Sequence, residues 1–350
     1  MSRPDRPLVE ARGLRKSFLR RSGLLGTRSR SLQAVDGVDL DVFESETVGL
    51  VGESGSGKST LGRLLVRLID ADAGGLRFDG VDLMSLKPPE LRAMRRQFQI
   101  VFQDSYGSLN PRMRVEGAVG EPLVIHKLVA SRAERNERVA ELLEQVGLDR
   151  SAMSRYPHEF SGGQRQRIGI ARAIACAPRF VVADEPVSAL DPPVQAQIIN
   201  LLLELQERMG LAYLLIAHDL RLVEHVCDRV VVMYLGRVVE QAPAAELYRE
   251  PLHPYTQALL AAAPGMSPGE PTPSTILGET PSPLYPPSGC PFHPRCPVAE
   301  PRCSLEAPEL LAPSEGRRVA CHLVNKGHST LSSNSSADAS NAADESKPKN

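Results

Sequence analysis

The sequence lacks the features that mark membrane-spanning, secreted and nucleic-acid-binding proteins. Of its 350 residues 42% are hydrophobic, yet no apolar run approaches the roughly 20 residues that span a bilayer. Residues 1–10 have no apolar core, so we expect no signal peptide. The net charge of −1 gives no general attraction to nucleic acid, and we expect no nucleic-acid partner. These absences predict a cytosolic chain that reaches a membrane only through partners. The length allows one or two domains.

A glycine-rich loop follows an apolar strand early in the chain. Residues 48–51 are apolar, and leucines recur at helical spacing from Leu61 onward. The loop matches the phosphate-binding pattern of two glycines five apart followed by Lys and Ser. It consists of Gly52, Glu53, Ser54, Gly55, Ser56, Gly57, Lys58, Ser59 and Thr60. Its backbone N–H groups and the N-terminus of the following helix would bind phosphate oxygens. Lys58 would bind the β- and γ-phosphates, and Ser59 would offer a hydroxyl to Mg²⁺. The loop therefore predicts a nucleotide-phosphate site without identifying the nucleotide.

A second apolar strand delivers two adjacent carboxylates. Residues 180–183 are apolar and are followed by Asp184 and Glu185. A phosphate-binding loop requires an acid beside it, and Asp184 is suited to hold Mg²⁺ directly or through water. Glu185 would then orient or deprotonate the attacking water. The pair therefore predicts hydrolysis of the bound nucleotide.

A second candidate anion site begins a later helix. Its residues are Ser161, Gly162, Gly163 and Gln164. Ser161 is a natural helix N-cap, and the glycines expose N–H groups at the positive end of the helix. Two phosphate-binding helix ends in one chain are explained if two chains meet head to tail over shared ATP.

These motifs, with Gln103, residues 188–191 and His218, occur in the order seen in ABC transporter ATPases, which residues 8 to about 260 therefore resemble. Three further stretches resemble the oligopeptide/dipeptide/nickel importer subfamily, most closely its second ATPase subunit. They are residues 155–160, residues 253–256 and the proline-rich, cysteine-bearing tail.

The resemblance implies a role for each matching residue. Phe18 would stack on adenine, Gln103 would link Mg²⁺ and the attacking water to the membrane subunits, His218 would contact the γ-phosphate, and Asp191 would lie in the segment that communicates across the dimer. ATP held by the opposite subunit would be contacted by Ser161, Gly162, Gly163 and Gln164. Mg²⁺ would be bound by Ser59, Gln103 and Asp184.

The sequence departs from the family pattern at Ser45, where relatives usually have Gly. This serine should cost little stability unless the turn needs positive φ.

The predicted fold is an α/β P-loop NTPase of the ABC ATPase type. We expect a parallel core sheet, an N-terminal antiparallel β layer and an inserted helical subdomain at about residues 104–173. The ATPase domain would span residues 1–262, with an Arg-rich exposed loop at 19–30. A small irregular extension with four cysteines would follow at 263–324, and a disordered tail at 325–350.

The resemblance also implies a function. ATP binding would close a head-to-tail dimer with a second, related ATPase subunit, and hydrolysis would open it. This motion would drive uptake of di- or oligopeptides through two membrane permease subunits served by an extracytoplasmic solute-binding protein, with the chain peripheral on the cytoplasmic face. Nickel or another small solute stays an alternative cargo, because the ATPase never touches it. A soluble ABC ATPase of DNA repair or translation is disfavoured, since those usually carry two ATPase halves or a long coiled coil. A non-hydrolysing regulatory module is disfavoured by Glu185 and His218.

Four cysteines follow the proline-rich segment: Cys290, Cys296, Cys303 and Cys321. Disulfides are disfavoured in the cytosol. Zinc sites usually have gaps of about two to four residues within each cysteine pair, and these gaps are wider. Four thiolates also suit a 4Fe–4S cluster, which the resemblance supports, since related ATPases have a similar tail that can hold one. We therefore expect a structural 4Fe–4S cluster, with zinc and free thiols as the alternatives, and Arg295 offsetting the negative charge of the cluster.

Overall fold

The computed structural model describes residues 6–22, 28–104, 106–262 and 278–324. The strands are β1 (Val9–Ser22), β2 (Arg28–Val42), β3 (Thr47–Val51), β4 (Ala73–Phe78), β5 (Val81–Asp82), β6 (Phe98–Val101), β7 (Phe180–Asp184), β8 (Ala212–Ile216), β9 (Arg229–Tyr234), β10 (Arg237–Pro243), β11 (Leu311–Ser314) and β12 (Arg317–Val319). The α-helices are α1 (Lys58–Leu65), α2 (Pro88–Met94), α3 (Val115–Ile125), α4 (Arg132–Gln145), α5 (Gly162–Ile174), α6 (Pro192–Met209), α7 (Leu220–Val226), α8 (Ala244–Arg249), α9 (Pro254–Ala261) and α10 (Pro301–Leu305). Short 3₁₀ helices lie at Arg150–Ser154, Pro157–Glu159 and His293–Arg295.

Two sequence predictions fall largely or wholly outside these residues. The predicted disordered tail, 325–350, lies outside the described residues, as do residues 263–277, the first part of the predicted extension. In the part of the chain that is described, no helix combines the length and the apolar character needed to cross a bilayer.

The core of the molecule is an eight-stranded sheet in the order β11-β12-β10-β9-β3-β8-β7-β6. The five strands from β9 to β6 pair in parallel, and every residue of β3, β7 and β8 is buried. Apolar runs form such strands because helices cover both faces of a parallel sheet. In this register Leu50 and Asp184 both align with Ile216 of β8, so the carboxyl ends of three strands meet at one edge. The predicted parallel α/β core is confirmed.

A four-stranded antiparallel sheet, β2-β1-β4-β5, forms the predicted N-terminal layer. The strands β1 and β2 form a hairpin whose pairing runs to Ser22 and Arg28. The prediction of a loop over residues 19–30 is therefore wrong at both ends, and residues 23–27 lie outside the described part. The Arg-rich composition misled the prediction, because backbone pairing between neighbouring strands does not need apolar side chains.

Three helices, α3, α4 and α5, lie between β6 and β7. Val139, Leu142 and Leu143 of α4 are buried in an apolar cluster shared with Val119 of α3 and Ile168 of α5. These three residues therefore form the inner, apolar face of α4. The helical character predicted for this region is observed, and its limits as a subdomain stay a prediction.

The C-terminal extension joins the core sheet rather than standing apart. The strands β11 and β12 form an antiparallel pair, and β12 pairs with β10 through Glu240 and Val319. Phe292 is buried against Tyr234 of β9 and Tyr255 of α9, with ring centroids 5.4 Å and 5.3 Å away. At three residues, β12 is too short to show an alternating pattern, so the sequence did not predict it.

The turn before β3 places Ser45 in the left-handed region, with φ of 56°. The Gln206 side-chain amide donates to the Ser45 carbonyl at 3.0 Å, which holds the turn in this conformation. A side chain with a Cβ is strained at such a φ, and Gly is not. The turn therefore needs positive φ at Ser45, which is the condition under which a serine here lowers stability.

Replacing Ser45 with Gly should raise the free energy of unfolding by about 1 kcal/mol, and the melting midpoint by about 2 °C, because the relief of strain exceeds the added chain entropy. Thermal melts followed by circular dichroism measure the shift. Ser45→Ala removes the hydroxyl but keeps the Cβ, and should give no gain. A glycine variant that melts at or below the wild-type temperature would contradict the strain.

Candidate functional site

The glycine-rich loop occupies the turn between β3 and α1, where space is tight. Gly52 has φ of 147° and Gly57 has φ of 101°. A Cβ on Gly52 would lie 2.2 Å from the Met233 carbonyl oxygen, and one on Gly57 would lie 2.1 Å from that of Ala34. Both contacts are with backbone, which cannot rotate away. These two positions therefore admit only glycine.

Lys58 begins α1 and folds back over the loop. Its Nζ donates to the carbonyl oxygens of Gly52 at 2.7 Å and Glu53 at 2.9 Å. The residue is buried, with 6% of its surface exposed. Burial lowers the pKa of Lys58, while the carboxylates of Glu185 and Asp184 act in the opposite direction. The loop thus surrounds a poorly hydrated positive charge, which suits an incoming phosphate.

Ser59 and Asp184 meet beside this charge. The Ser59 hydroxyl donates to Asp184 Oδ1 at 2.7 Å, and Asp184 is almost fully buried at the end of β7. Burial raises the pKa of Asp184, and the Ser59 hydrogen bond and nearby Arg63 oppose that rise. A hydroxyl and a carboxylate oxygen at this distance form a hard-oxygen pair that fits Mg²⁺.

Glu185 lies where three strands end. The amide of Gln103, just after β6, donates to Glu185 Oε2 at 2.6 Å, and His218 Nδ1, just after β8, lies 3.5 Å from the same oxygen. Glu185 itself has φ of 46°, and its N–H donates to the Ile216 carbonyl at 3.0 Å. A non-glycine residue in this conformation is strained, and such strain is often found at functional sites.

These groups surround one cavity of about 520 Å³. Lys58, Ser59, Gln103, Glu185 and His218 line it together with the loop. Phe18 of β1 lines the same cavity and is 41% exposed. The predicted ATP-site residues come from five separate stretches of sequence and meet around one space.

The second candidate anion site does not line this cavity; it consists of Ser161, Gly162, Gly163 and Gln164. The Ser161 hydroxyl accepts from the Gln164 N–H at 3.4 Å, and the Gln164 side chain accepts from the Ser161 N–H at 3.1 Å. This reciprocal capping forms the exposed start of α5. Asp191 is the exposed residue that precedes α6. The second candidate anion site therefore lies outside the cavity that the glycine-rich loop lines.

The C-terminal extension reaches the glycine-rich loop, which sequence reasoning did not anticipate. Arg295 forms two hydrogen bonds with the Glu53 carboxylate, at 2.9 Å and 3.0 Å, and Thr280 donates to it at 2.6 Å. Pro283 lines the 520 Å³ cavity. Arg295 is 242 residues from Glu53 along the chain, so no local spacing could reveal the pair.

The predicted iron–sulfur cluster at Cys290, Cys296, Cys303 and Cys321 is wrong, as is the zinc alternative. Among the residues that the structure describes, no group of three or more His, Cys, Asp or Glu side chains is arranged to hold a metal ion. The first and third of these cysteines lie in an apolar cluster with aromatic side chains. Burial raises the pKa of the Cys290 thiol to about 11 and also raises that of Cys296. Arg295, which was expected to offset the charge of a cluster, pairs with the Glu53 carboxylate instead.

Comparison with known proteins agrees with this geometry. Residues 35–188 match the ABC transporter family, and residues 239–303 match the oligopeptide/dipeptide transporter C-terminal region. A putative peptide import ATP-binding protein of Brucella ovis is 50% identical over 318 residues, covering 91% of this chain and 98% of the relative. An oligopeptide transport ATP-binding protein of Bacillus subtilis is 50% identical over 322 residues, with the same shares covered.

The fold also matches a solved structure. A dimeric ATP-binding cassette in a post-hydrolysis state, bound to ADP and Pi, has a TM-score of 0.60 and 30% identity over 67% of this chain and 98% of that one. The resemblance drawn from the motifs is thereby confirmed, and so is the ABC ATPase fold. The chain belongs to the ABC transporter family, as an ATPase subunit that carries the oligopeptide/dipeptide transporter C-terminal region.

Proposed function

We propose that this ATPase drives peptide import as one half of a head-to-tail pair of ATPase subunits. The observation that carries the proposal is one cavity lined by a buried ammonium, by a hydroxyl that donates to a buried carboxylate, and by a second carboxylate. This set supplies a phosphate cradle and a proton acceptor within one space. Those are the two requirements of a phosphoryl-transfer site that uses water as the nucleophile.

The residues divide the chemistry among them. Lys58 and the loop N–H groups bind the phosphates, and Phe18 packs against the base. Ser59 and Asp184, with Gln103, would hold Mg²⁺, which would offset negative charge on the phosphate oxygens. Glu185 accepts a proton as the water oxygen bonds to the γ-phosphorus and the bond to the bridging oxygen breaks, which gives ADP and inorganic phosphate. His218 donates to the γ-phosphate.

A second subunit completes the site. The exposed start of α5 carries N–H groups and a helix dipole that would meet ATP held by a partner. The related cassette bound to ADP and Pi is dimeric, which supports this arrangement. We infer that the partner is a second, related ATPase, and that two permeases at the membrane and an extracytoplasmic binding protein complete the importer. The chain would lie on the cytoplasmic face as a peripheral subunit.

Peptide is the proposed cargo because the relatives at 50% identity are described as peptide or oligopeptide import proteins. The cargo passes through the permeases, so no residue of this chain selects it.

Glu185→Gln should lower ATP hydrolysis about 100-fold or more, because an amide of the same size cannot accept the proton, while ATP binding is retained. Phosphate release and nucleotide titration measure the two effects separately. Glu207→Gln makes the same chemical change on the exposed face of α6 and should leave both unchanged. Hydrolysis near the wild-type rate in the Glu185 variant would remove this residue from the catalytic role.

Ser161→Asp tests the composite site, since Asp preserves the N-cap of α5 but adds a negative charge that would face the partner's ATP. In the complex reconstituted with its permeases and second ATPase, hydrolysis should fall about tenfold or more through repulsion of the phosphates. Binding of ATP to the isolated chain should not change. Ser131→Asp, at the N-cap of α4, is the matched control and should behave as wild type. Equal activity of the two variants would contradict the head-to-tail arrangement.

Deleting the gene should abolish uptake of labelled di- and tripeptides and leave nickel uptake unchanged. Complementation with the wild-type chain should restore peptide uptake, and the Glu185→Gln variant should not. Lost nickel uptake with intact peptide uptake would assign the alternative cargo.

A further inference from the structure

Glu53 lies inside the phosphate-binding loop, yet its carboxylate points to the C-terminal extension. Arg295 binds both carboxylate oxygens, at 2.9 Å and 3.0 Å, and Thr280 adds a third hydrogen bond at 2.6 Å. Two parallel N–H···O bonds from a guanidinium fix the direction of a carboxylate as well as its position. The side chain of this loop residue is therefore oriented by the extension.

The contact is largely shielded from water and is backed by an aromatic cluster. The Arg295 side chain is 6% exposed and that of Glu53 is 21% exposed. Arg295 also donates to the Tyr234 hydroxyl at 3.2 Å, and Tyr234 packs with Tyr255 and Phe292 at centroid distances of 4.6 Å and 5.4 Å. An ion pair at a protein surface contributes little, but a shielded bidentate pair strongly constrains both partners.

The backbone of Glu53 connects this contact to the phosphate site. Its N–H donates to the Tyr255 hydroxyl at 2.8 Å, and its carbonyl accepts from Lys58 Nζ at 2.9 Å. One residue thus has its side chain bound by the extension, its N–H bound by α9 and its carbonyl bound to the phosphate-binding lysine. A shift of Glu53 would move the carbonyl that positions the ammonium.

We propose that Arg295 is a positioning residue of the ATP site: it holds Glu53, and through Glu53 the phosphate-binding loop, in the conformation that binds ATP. The C-terminal extension is then part of the support of the ATP site rather than an appendage. Burial raises the pKa of Glu53, but hydrogen bonds from Arg295 and Thr280 outweigh it and leave that pKa lowered, as expected for a carboxylate that stays charged in this pair. The inference rests on the ATP site proposed above.

Arg295→Met should raise the dissociation constant of the full-length chain for MgATP about tenfold, a size typical of coupling between contacting residues. Arg295→Lys keeps the charge without the bidentate geometry and should give a smaller loss. Isothermal titration reports affinity separately from the fraction of active protein, which a merely structural defect would lower. In the reconstituted complex, KM for ATP should rise more than kcat falls.

Arg317→Met is the matched control, because Arg317 is another buried arginine of the extension and pairs with Glu240, away from the loop. It should lower the melting temperature but leave MgATP affinity unchanged at temperatures where the chain is folded. An equal affinity loss in this variant would assign the effect to general destabilisation and overturn the positioning role.

A double mutant tests the contact itself. Arg295→Met leaves a shielded carboxylate without its cation, and adding Glu53→Gln should recover part of the affinity. Losses that simply add in the double mutant would overturn the proposal, as would unchanged affinity in Arg295→Met. Wild-type protein that fails to bind MgATP would instead overturn the proposed ATP site, so the two failures are distinguishable.

Discussion

The buried ammonium of Lys58 is the constraint on which the site depends. A charge taken out of water needs close partners, and here Gly52 and Glu53 supply two carbonyl oxygens. The loop can direct those carbonyls inward only by curling through left-handed conformations at positions where a Cβ would collide with backbone. The charge, the glycines and the strand–loop–helix connection therefore require one another.

The parallel sheet places the remaining chemistry around this charge. Because β6, β7 and β8 run in the same direction, the residues that follow them leave the sheet at one edge. Gln103, Glu185 and His218 meet there, although up to 115 residues separate them in sequence, from position 103 to 218. Rigid strands bring such groups to within hydrogen-bond distance more accurately than loops do.

The extension illustrates how composition can mislead. Four cysteines after a proline-rich stretch suggested a metal cluster, but Cys290 and Cys303 lie in an apolar cluster with aromatic side chains, where they pack as small hydrophobic side chains. The arginine among them is committed to the phosphate-binding loop instead. The same aromatic cluster that buries the cysteines supports the contact between the extension and the loop.

The sequence alone determined the chemistry and most of the fold. Continuous apolar runs predicted β3 and β7. The motif residues predicted the phosphate loop, its acids and the family, because these signals are local and each needs a particular residue type. The strands beyond Phe18, the pairing of β12 with β10, and the fate of the cysteines were decided only by tertiary structure. The contact between Arg295 and Glu53 was also decided only by tertiary structure. The two residues are 242 positions apart, so no local sequence pattern links them, and only folding determines which carboxylate a buried guanidinium meets.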